Sequence, residues 1–228
     1  MDDKVDIERY LSKKDSHLGS VVKIVRAARG EPVRPPPSDE NPFQALIRAV
    51  IYQRSSEAAG ATVFARLEEI AGGKLAPAKI AALTTARVRK SGLSLAKAAY
   101  VLNVAKWFVD NPSVAKRLPS MSDEEIIAAL TRIGGVGLWS VNVVLVFNLG
   151  RLDVAPAPDA VIRGIAQTVY GLKAQPSAEF VKEKIEKWRP YRSIATMYLY
   201  QAGKLKLTAA DIRRGRTKID QAGFRSGT

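Results

Sequence analysis

The residues best placed to do chemistry lie in Leu130-Thr-Arg-Ile-Gly-Gly-Val-Gly-Leu-Trp139. Ser122-Asp-Glu-Glu125 reads as a capping box that opens a helix. Gly134, Gly135 and Gly137 stop that helix, and Leu138–Leu149 begins the next. Glycine permits positive φ and close approach of another backbone. The second helix opens with N–H groups that lack an intrahelical acceptor, and its dipole adds partial positive charge. Such a turn suits a phosphate oxygen, which it would grip without reading any base. A plain glycine-rich turn would use the same residues. Asp159 stands just before the apolar run at 160–170, where an aspartate serves as an N-cap. The chain has no cysteine and one histidine, His17. Thiolate nucleophiles, disulfides, cysteine zinc sites, iron–sulfur clusters and multi-histidine metal sites are therefore excluded.

The elements that must position these residues are helical. Phe43, Leu46, Ile47, Val50 and Ile51 recur at spacings of three and four, which puts them on one face. Ala58–Ile70, Lys79–Leu83 and Leu95–Val109 read the same way. Residues 122–149 form a helical hairpin carrying Ile126, Ile127, Leu130 and Ile133 inward, and 160–170, 177–188 and 191–202 give three more helices. Few segments alternate with period two, so the expected class is all-α. Four prolines between Pro32 and Pro37 make an extended connector. Two helical lobes are expected: residues 41–157 with the hairpin, and 1–40 joined by 158–228. The tail after Asp211 reads as polar and loose.

With 228 residues, 46% hydrophobic and 25% charged, the chain has a globular composition. Its net charge is +14 and its pI about 10.1. Acidic and basic side chains balance over residues 1–40, so the excess lies after Asn41. That pattern fits a polyanionic partner, nucleic acid first and an anionic membrane surface second. No apolar stretch is long enough to span a membrane, and the acidic, polar N-terminus is unlike a signal peptide. The expected location is intracellular, cytoplasmic (nucleoid) or nuclear, and not secreted. His17 reads as a solvated or capping residue.

Leu-x-x-Ile-x-Gly-Val-Gly resembles the helix-hairpin-helix motif of DNA repair proteins. With Leu149-Gly-Arg-Leu-Asp-Val-Ala-Pro-Ala-Pro-Asp159 following, the order of hairpin, Gly/Pro-rich loop and Asp resembles the helix-hairpin-helix DNA glycosylase superfamily. Within it the chain is similar to the 3-methyladenine DNA glycosylase II type. The similarity is carried by Trp139, Leu149-Gly-Arg-x-Asp-Val154, Ala49-Val-Ile-Tyr-Gln-Arg-Ser-Ser56, Gly92-Leu-Ser-x-x-Lys97 and Trp188-x-Pro-Tyr-Arg-Ser193 with Tyr198-Leu-Tyr200, covering about residues 41 to 203. The chain departs from the pattern at Pro158, Gly134, Val143 and Gln201, which implies a roomier or less aromatic pocket.

The resemblance implies an enzyme that flips an alkylated purine, such as 3-methyladenine or 7-methylguanine, out of double-stranded DNA and releases it by hydrolysis. Asp159, in a cleft between the lobes, would stabilise the oxocarbenium-like sugar and orient water. Trp139, Tyr200, Val143 and Tyr198 would line the pocket, with Tyr198 the weakest of these. Gln53 and Arg54 would supply the wedge that fills the vacated stack. Gly135, Gly137 and Lys97 join them as DNA-binding candidates. Lyase relatives use a lysine for a Schiff base, whereas here Trp139 occupies that position, so no lyase activity is expected. No cofactor is required. A structural Na+ or K+ could sit on the backbone carbonyls of Thr131, Ile133 and Val136. The protein is expected to be monomeric. Two other readings stay open: a non-catalytic helix-hairpin-helix DNA-binding module, and a glycosylase for deaminated or mismatched bases.

Overall fold

The computed structural model describes residues 6–36, 38–155, 158 and 160–215. Among these there are helices and no strands. In chain order the helices are α1 (Ile7–Lys14), α2 (Ser16–Arg29), α3 (Pro42–Tyr52), α4 (Glu57–Ile70), α5 (Pro77–Ala81), α6 (Thr85–Arg89), α7 (Leu95–Asp110), α8 (Pro112–Arg117), α9 (Asp123–Leu130), α10 (Leu138–Phe147), α11 (Ala160–Val169), α12 (Ala178–Glu186), α13 (Arg192–Lys204) and α14 (Ala209–Arg214). None of the described helices is long and apolar enough to cross a membrane. The class is all-α, as the periodicity implies.

The chain divides into two compact units, Pro36–Arg151 and Met1–Pro35 with Leu152–Thr228. The boundaries fall some five residues before the expected 40/41 and 157/158. The reason is local bonding. Glu40 pairs with Arg48, and the Asn148 amide donates to the Glu40 carbonyl at 2.6 Å, which ties 38–40 to the central unit. Leu152 and Asp153 bond to the start of α13 instead, as described below.

In the central unit α3 is the pivot. Asn41 and Gln44 form a capping box, Pro42 occupies the first turn, and α4, α7 and α10 pack around the helix. The five apolar residues singled out by spacing, Phe43 to Ile51, are all buried. Opposite them α7 contributes Ala98, Val101, Val104 and Ala105 with no exposed surface, and α10 contributes Val141, Val144 and Leu145. Each fully buried Val, Leu or Ile stabilises the fold by about 1.5–3 kcal/mol relative to exposure. Sequence spacing missed the short helices α6 and α8.

The terminal unit holds the larger surprise. Residues 7–29, expected as part of the terminal helical lobe but with no helix assigned to them, form α1 and α2. Leu18, Val21 and Val25 of α2 are completely buried against α13. Polar residues fix this core as firmly as apolar ones. Asp15 caps α2, accepting the His17 and Leu18 amides at 3.0 and 3.1 Å on one carboxylate oxygen. Its other oxygen accepts the Tyr170 hydroxyl at 2.5 Å and the Trp188 indole N–H at 3.2 Å. Burial, and then the neighbouring Asp15 charge, push the Tyr170 phenol well above its ordinary range, so it stays a donor. The His17 ring is half exposed and contributes only its backbone N–H to the cap. Residues 209–214, partly inside the expected loose tail, form α14 with its own Thr208–Asp211 capping box.

Asp15→Ala would leave the buried Trp188 indole N–H, the part-buried Tyr170 hydroxyl and a helix end unsatisfied at once. We expect it to destabilise the terminal unit by about 3 kcal/mol. The test is urea unfolding followed by Trp188 emission in a variant whose other tryptophans are replaced by phenylalanine. A loss below about 1 kcal/mol would contradict the bonding described.

Candidate functional site

The end of α3 and the hairpin are built as one piece. Gln53, the C-cap of α3, donates its side-chain amide to the Gly135 carbonyl at 3.1 Å and the Ser140 hydroxyl at 2.9 Å. The expected wedge residue Gln53 is thus committed to bracing the turn. Arg54 follows, exposed and in the left-handed region at φ 55°. Lys97 does not face outward as a DNA contact would. Its ammonium donates to the Ile51 carbonyl at 2.7 Å, the Gln53 carbonyl at 2.6 Å and the Ser55 hydroxyl at 3.1 Å. An ammonium has three N–H donors, so none remains for a phosphate. Burial holds the Lys97 pKa below its ordinary value.

The hairpin turn itself requires glycine at one place and leaves space at another. Gly135 has φ 92°, and a Cβ there would fall 2.0 Å from the Tyr100 ring. Tyr100 of α7 is therefore the floor of the turn, and Asn103 one turn later donates to the Gly134 carbonyl at 3.1 Å. Gly137 is the N-cap of α10, exposed, with nothing within 4 Å of an added Cβ. No side chain caps α10, so its first amides are left for solvent or an anion. Trp139 lies in that first turn with 41% of its surface exposed. Val143, one helical turn on, shares its face and is half-buried. The Ile133 carbonyl accepts the Val136 N–H at 3.0 Å and keeps a second lone pair. With Thr131 and Val136 it offers neutral carbonyl oxygens, a donor chemistry that suits a hard monovalent ion. Among the described residues no cluster of acids or histidine could hold a metal.

The base of the hairpin is closed by the stretch Leu149-Gly-Arg151. Gly150 takes φ 66°. The Arg151 guanidinium donates to the Met121 and Pro119 carbonyls at 2.7 and 3.1 Å and pairs with Asp123 at 3.3 Å. It thereby pins the start of α9 to the end of α10.

In the terminal unit the next residues are clamped by α13. Asp153 receives Arg192 Nε on one oxygen at 2.8 Å and Nη2 on the other at 3.1 Å, while Arg189 adds a bond at 3.0 Å. Arg192 also donates to the Asp153 carbonyl at 2.5 Å and to Glu186 at 2.7 Å. Ser193 donates its N–H to the Leu152 carbonyl at 3.0 Å and accepts the Val154 N–H at 2.9 Å. Asp159, the expected catalytic carboxylate, lies outside the described residues. The chain on its near side is held by this clamp. On its far side α11 begins at Ala160, whose carbonyl accepts the Gln175 amide at 3.0 Å.

The two tyrosines part company. Tyr198 has no exposed surface; its hydroxyl donates to Glu8 and accepts the Val33 N–H at 3.1 Å. It is a core residue of the terminal unit and lines no pocket, because its polar end is needed to anchor α1 and the start of the proline connector. Tyr200 is half-buried on the same core. Sequence reasoning missed Tyr100, Asn103 and Ser140, whose roles arise from contacts between helices distant in sequence. Arg192 and Ser193 were visible only as a motif.

A family model described as the HhH-GPD superfamily of base excision DNA repair proteins matches residues 47–190. The chain belongs to this superfamily. It is 30% identical over 202 residues to the alkylbase DNA glycosidase-like protein mag2 of Schizosaccharomyces pombe, covering 87% of this chain and 93% of that protein. It is 31% identical over 215 residues to DNA-3-methyladenine glycosylase 1 of the same yeast, with 90% and 93% covered. Among solved structures, the Schizosaccharomyces pombe 3-methyladenine DNA glycosylase in complex with abasic DNA superposes with a TM-score of 0.77 at 29% identity, covering 88% of this chain and 97% of that one. A Bacillus halodurans DNA-3-methyladenine glycosidase gives 0.72 at 26% identity, with 87% and 89% covered.

The two glycines of the turn should separate cleanly. Gly135→Ala adds a methyl against the Tyr100 ring at positive φ and should cost at least about 2 kcal/mol. Gly137→Ala, in open space at φ −98°, should change stability by less than about 0.5 kcal/mol. Equal melting shifts for the two variants would refute the packing described.

Proposed function

We propose that this protein is a monomeric, monofunctional DNA glycosylase of base excision repair. It takes an alkylated purine such as 3-methyladenine or 7-methylguanine out of double-stranded DNA and cuts its N-glycosidic bond with water, leaving an abasic site. The observation that carries the reading is the start of α10: an uncapped helix N-terminus at an open glycine, followed within the first turn by a Trp139 with about two fifths of its surface exposed. The open amides suit a phosphate. The Trp139 ring suits a flipped cationic base, which gains from a π face. Membership of the superfamily and the names of the relatives support the same class of reaction.

The chemistry asks for little beyond a carboxylate. A cationic base is already a good leaving group, so scission of the bond develops positive charge on the sugar. The Asp159 carboxylate would stabilise that charge and accept a proton from the attacking water. Tyr200 is the second aromatic offered to the base. No lysine lies between Lys116 and Lys173, and Trp139 fills the position where a Schiff-base lysine would stand. A monovalent cation, when bound by the carbonyls of Thr131, Ile133 and Val136, would add positive charge beside the phosphate grip. Arg54, exposed at the corner after α3, is the side chain available to enter the vacated stack.

Asp159→Asn should reduce single-turnover release of 7-methylguanine from a duplex by at least about 100-fold while leaving duplex affinity near that of wild type. Borohydride should trap no covalent complex. Wild-type binding without release of any base from a panel of alkylated and deaminated lesions would leave a non-catalytic DNA-binding module. Release confined to deaminated bases would move the substrate class.

Gly137→Glu places bulk and negative charge at the open N-terminus of α10. It should weaken binding to damaged and undamaged duplexes alike and lower the salt slope, log K against log salt, by about one. An unchanged slope in a folded variant would remove the hairpin from the DNA interface.

A further inference from the structure

The corner that joins α3 to α4 is held by more bonds than a surface turn needs. The last carbonyls of a helix have no intrahelical donor and are commonly left to water. Here Ile51 and Gln53 give theirs to Lys97, and the Ser55 hydroxyl is the third acceptor of the same ammonium. Ser55 also donates its N–H to the Tyr52 carbonyl at 3.1 Å, and Gly60 of α4 is tight against the Tyr52 ring, where a Cβ would come within 2.7 Å. Gln53 is meanwhile fixed to the hairpin through Gly135 and Ser140. Between these anchored neighbours stands Arg54, exposed and left-handed. A non-glycine residue keeps that conformation only when its surroundings over-determine it.

The geometry points to Lys97 as a positioning residue: its ammonium locks the turn that presents Arg54 to DNA, and it does not itself touch the duplex. The role rests on the glycosylase reading above. Without the ammonium, two carbonyls and a hydroxyl lose their shared donor, and the turn is free to relax Arg54 out of the left-handed region. Arg54 would then reach the duplex only from a fraction of the population, which lowers apparent affinity by that fraction. A direct phosphate contact by Lys97 would instead remove a counterion-releasing charge whatever Arg54 does.

The experiment is a double-mutant cycle of Lys97→Met and Arg54→Ala. Binding is measured on a duplex with a single tetrahydrofuran abasic analogue across a range of salt, and amide exchange is read at residues 54–56 in the free proteins. Lys97→Met should weaken binding by about tenfold, as expected for losing hydrogen bonds to a charged group. In the Arg54→Ala background it should cost almost nothing more and leave the salt slope unchanged, since coupled residues are non-additive. Amide exchange at 54–56 should speed up in Lys97→Met without DNA. Ser55→Ala removes one acceptor of three and should shift exchange and affinity the same way by less, which keeps the test available if Lys97→Met unfolds. Additive losses, with a further drop in slope of about one, would make Lys97 a DNA contact and overturn the assignment. Unaltered exchange in both variants would overturn it too. Failure of the wild-type protein to bind the duplex, with exchange behaving as expected, would remove the glycosylase reading beneath it and leave Lys97 as a structural cap alone.

Discussion

The Arg192–Asp153 pair is the interaction on which the proposed chemistry depends. Only a tenth of the Arg192 side chain is exposed, and a guanidinium so placed must be matched by acceptors or the fold loses several kcal/mol. It is matched by both Asp153 oxygens, the Asp153 carbonyl and Glu186. Arg189 first and Arg192 after it hold the Glu186 carboxyl below the usual carboxylate range, so the outer acid of the cluster stays ionised below the usual carboxylate pKa. Planar, bidentate pairing sets direction as well as distance. The chain therefore leaves residue 154 from a fixed point, five positions before Asp159, and is fixed again where α11 starts. A carboxylate that must stand close to one sugar atom needs such anchors more than it needs neighbours of its own.

The central unit applies the same principle to a different task. Its turn at 134–137 carries no charged side chain, and what it can offer an anion is the uncapped amides at the start of α10. Three polar braces hold the turn: Gln53 on the Gly135 carbonyl, Asn103 on the Gly134 carbonyl and Arg151 across the base of the hairpin. Tyr100 fills the space that a side chain at 135 would need. The proposed phosphate grip and the proposed base contact would share one helix turn, because Trp139 follows Gly137 by two residues.

What could be read from the sequence follows from what is periodic or local. The apolar face of α3, the capping box before α9 and the glycine turn depend on neighbours within four residues, and all were legible. Helix α2 carries the same signal in Leu18, Val21, Val22 and Val25, but residues 1–40 read only as part of the terminal helical lobe, without their helices being picked out. Lys97 and Gln53 face elsewhere than expected, and Tyr198 lies in the core, for a common reason. Each has a polar end whose partner is distant in sequence: Ser55 and two carbonyls for Lys97, the hairpin for Gln53, Glu8 and Val33 for Tyr198. A motif shows that such a residue matters without showing which way it faces. Asp159 lies outside the described residues, so its role rests on the motif order and on the anchors to either side.

If Asp159 acts as proposed, anchoring of the loop, separately from the grip on DNA, sets the rate of base release. Arg192→Lys tests it most directly, because it keeps a buried positive charge and removes the bidentate geometry. Single-turnover release of 7-methylguanine should fall by about 10- to 100-fold, since small misplacement of a reacting group is costly, while affinity for the same duplex and its salt slope stay as in wild type. An unchanged release rate in the folded variant, or a loss that appears entirely in binding, would contradict the account.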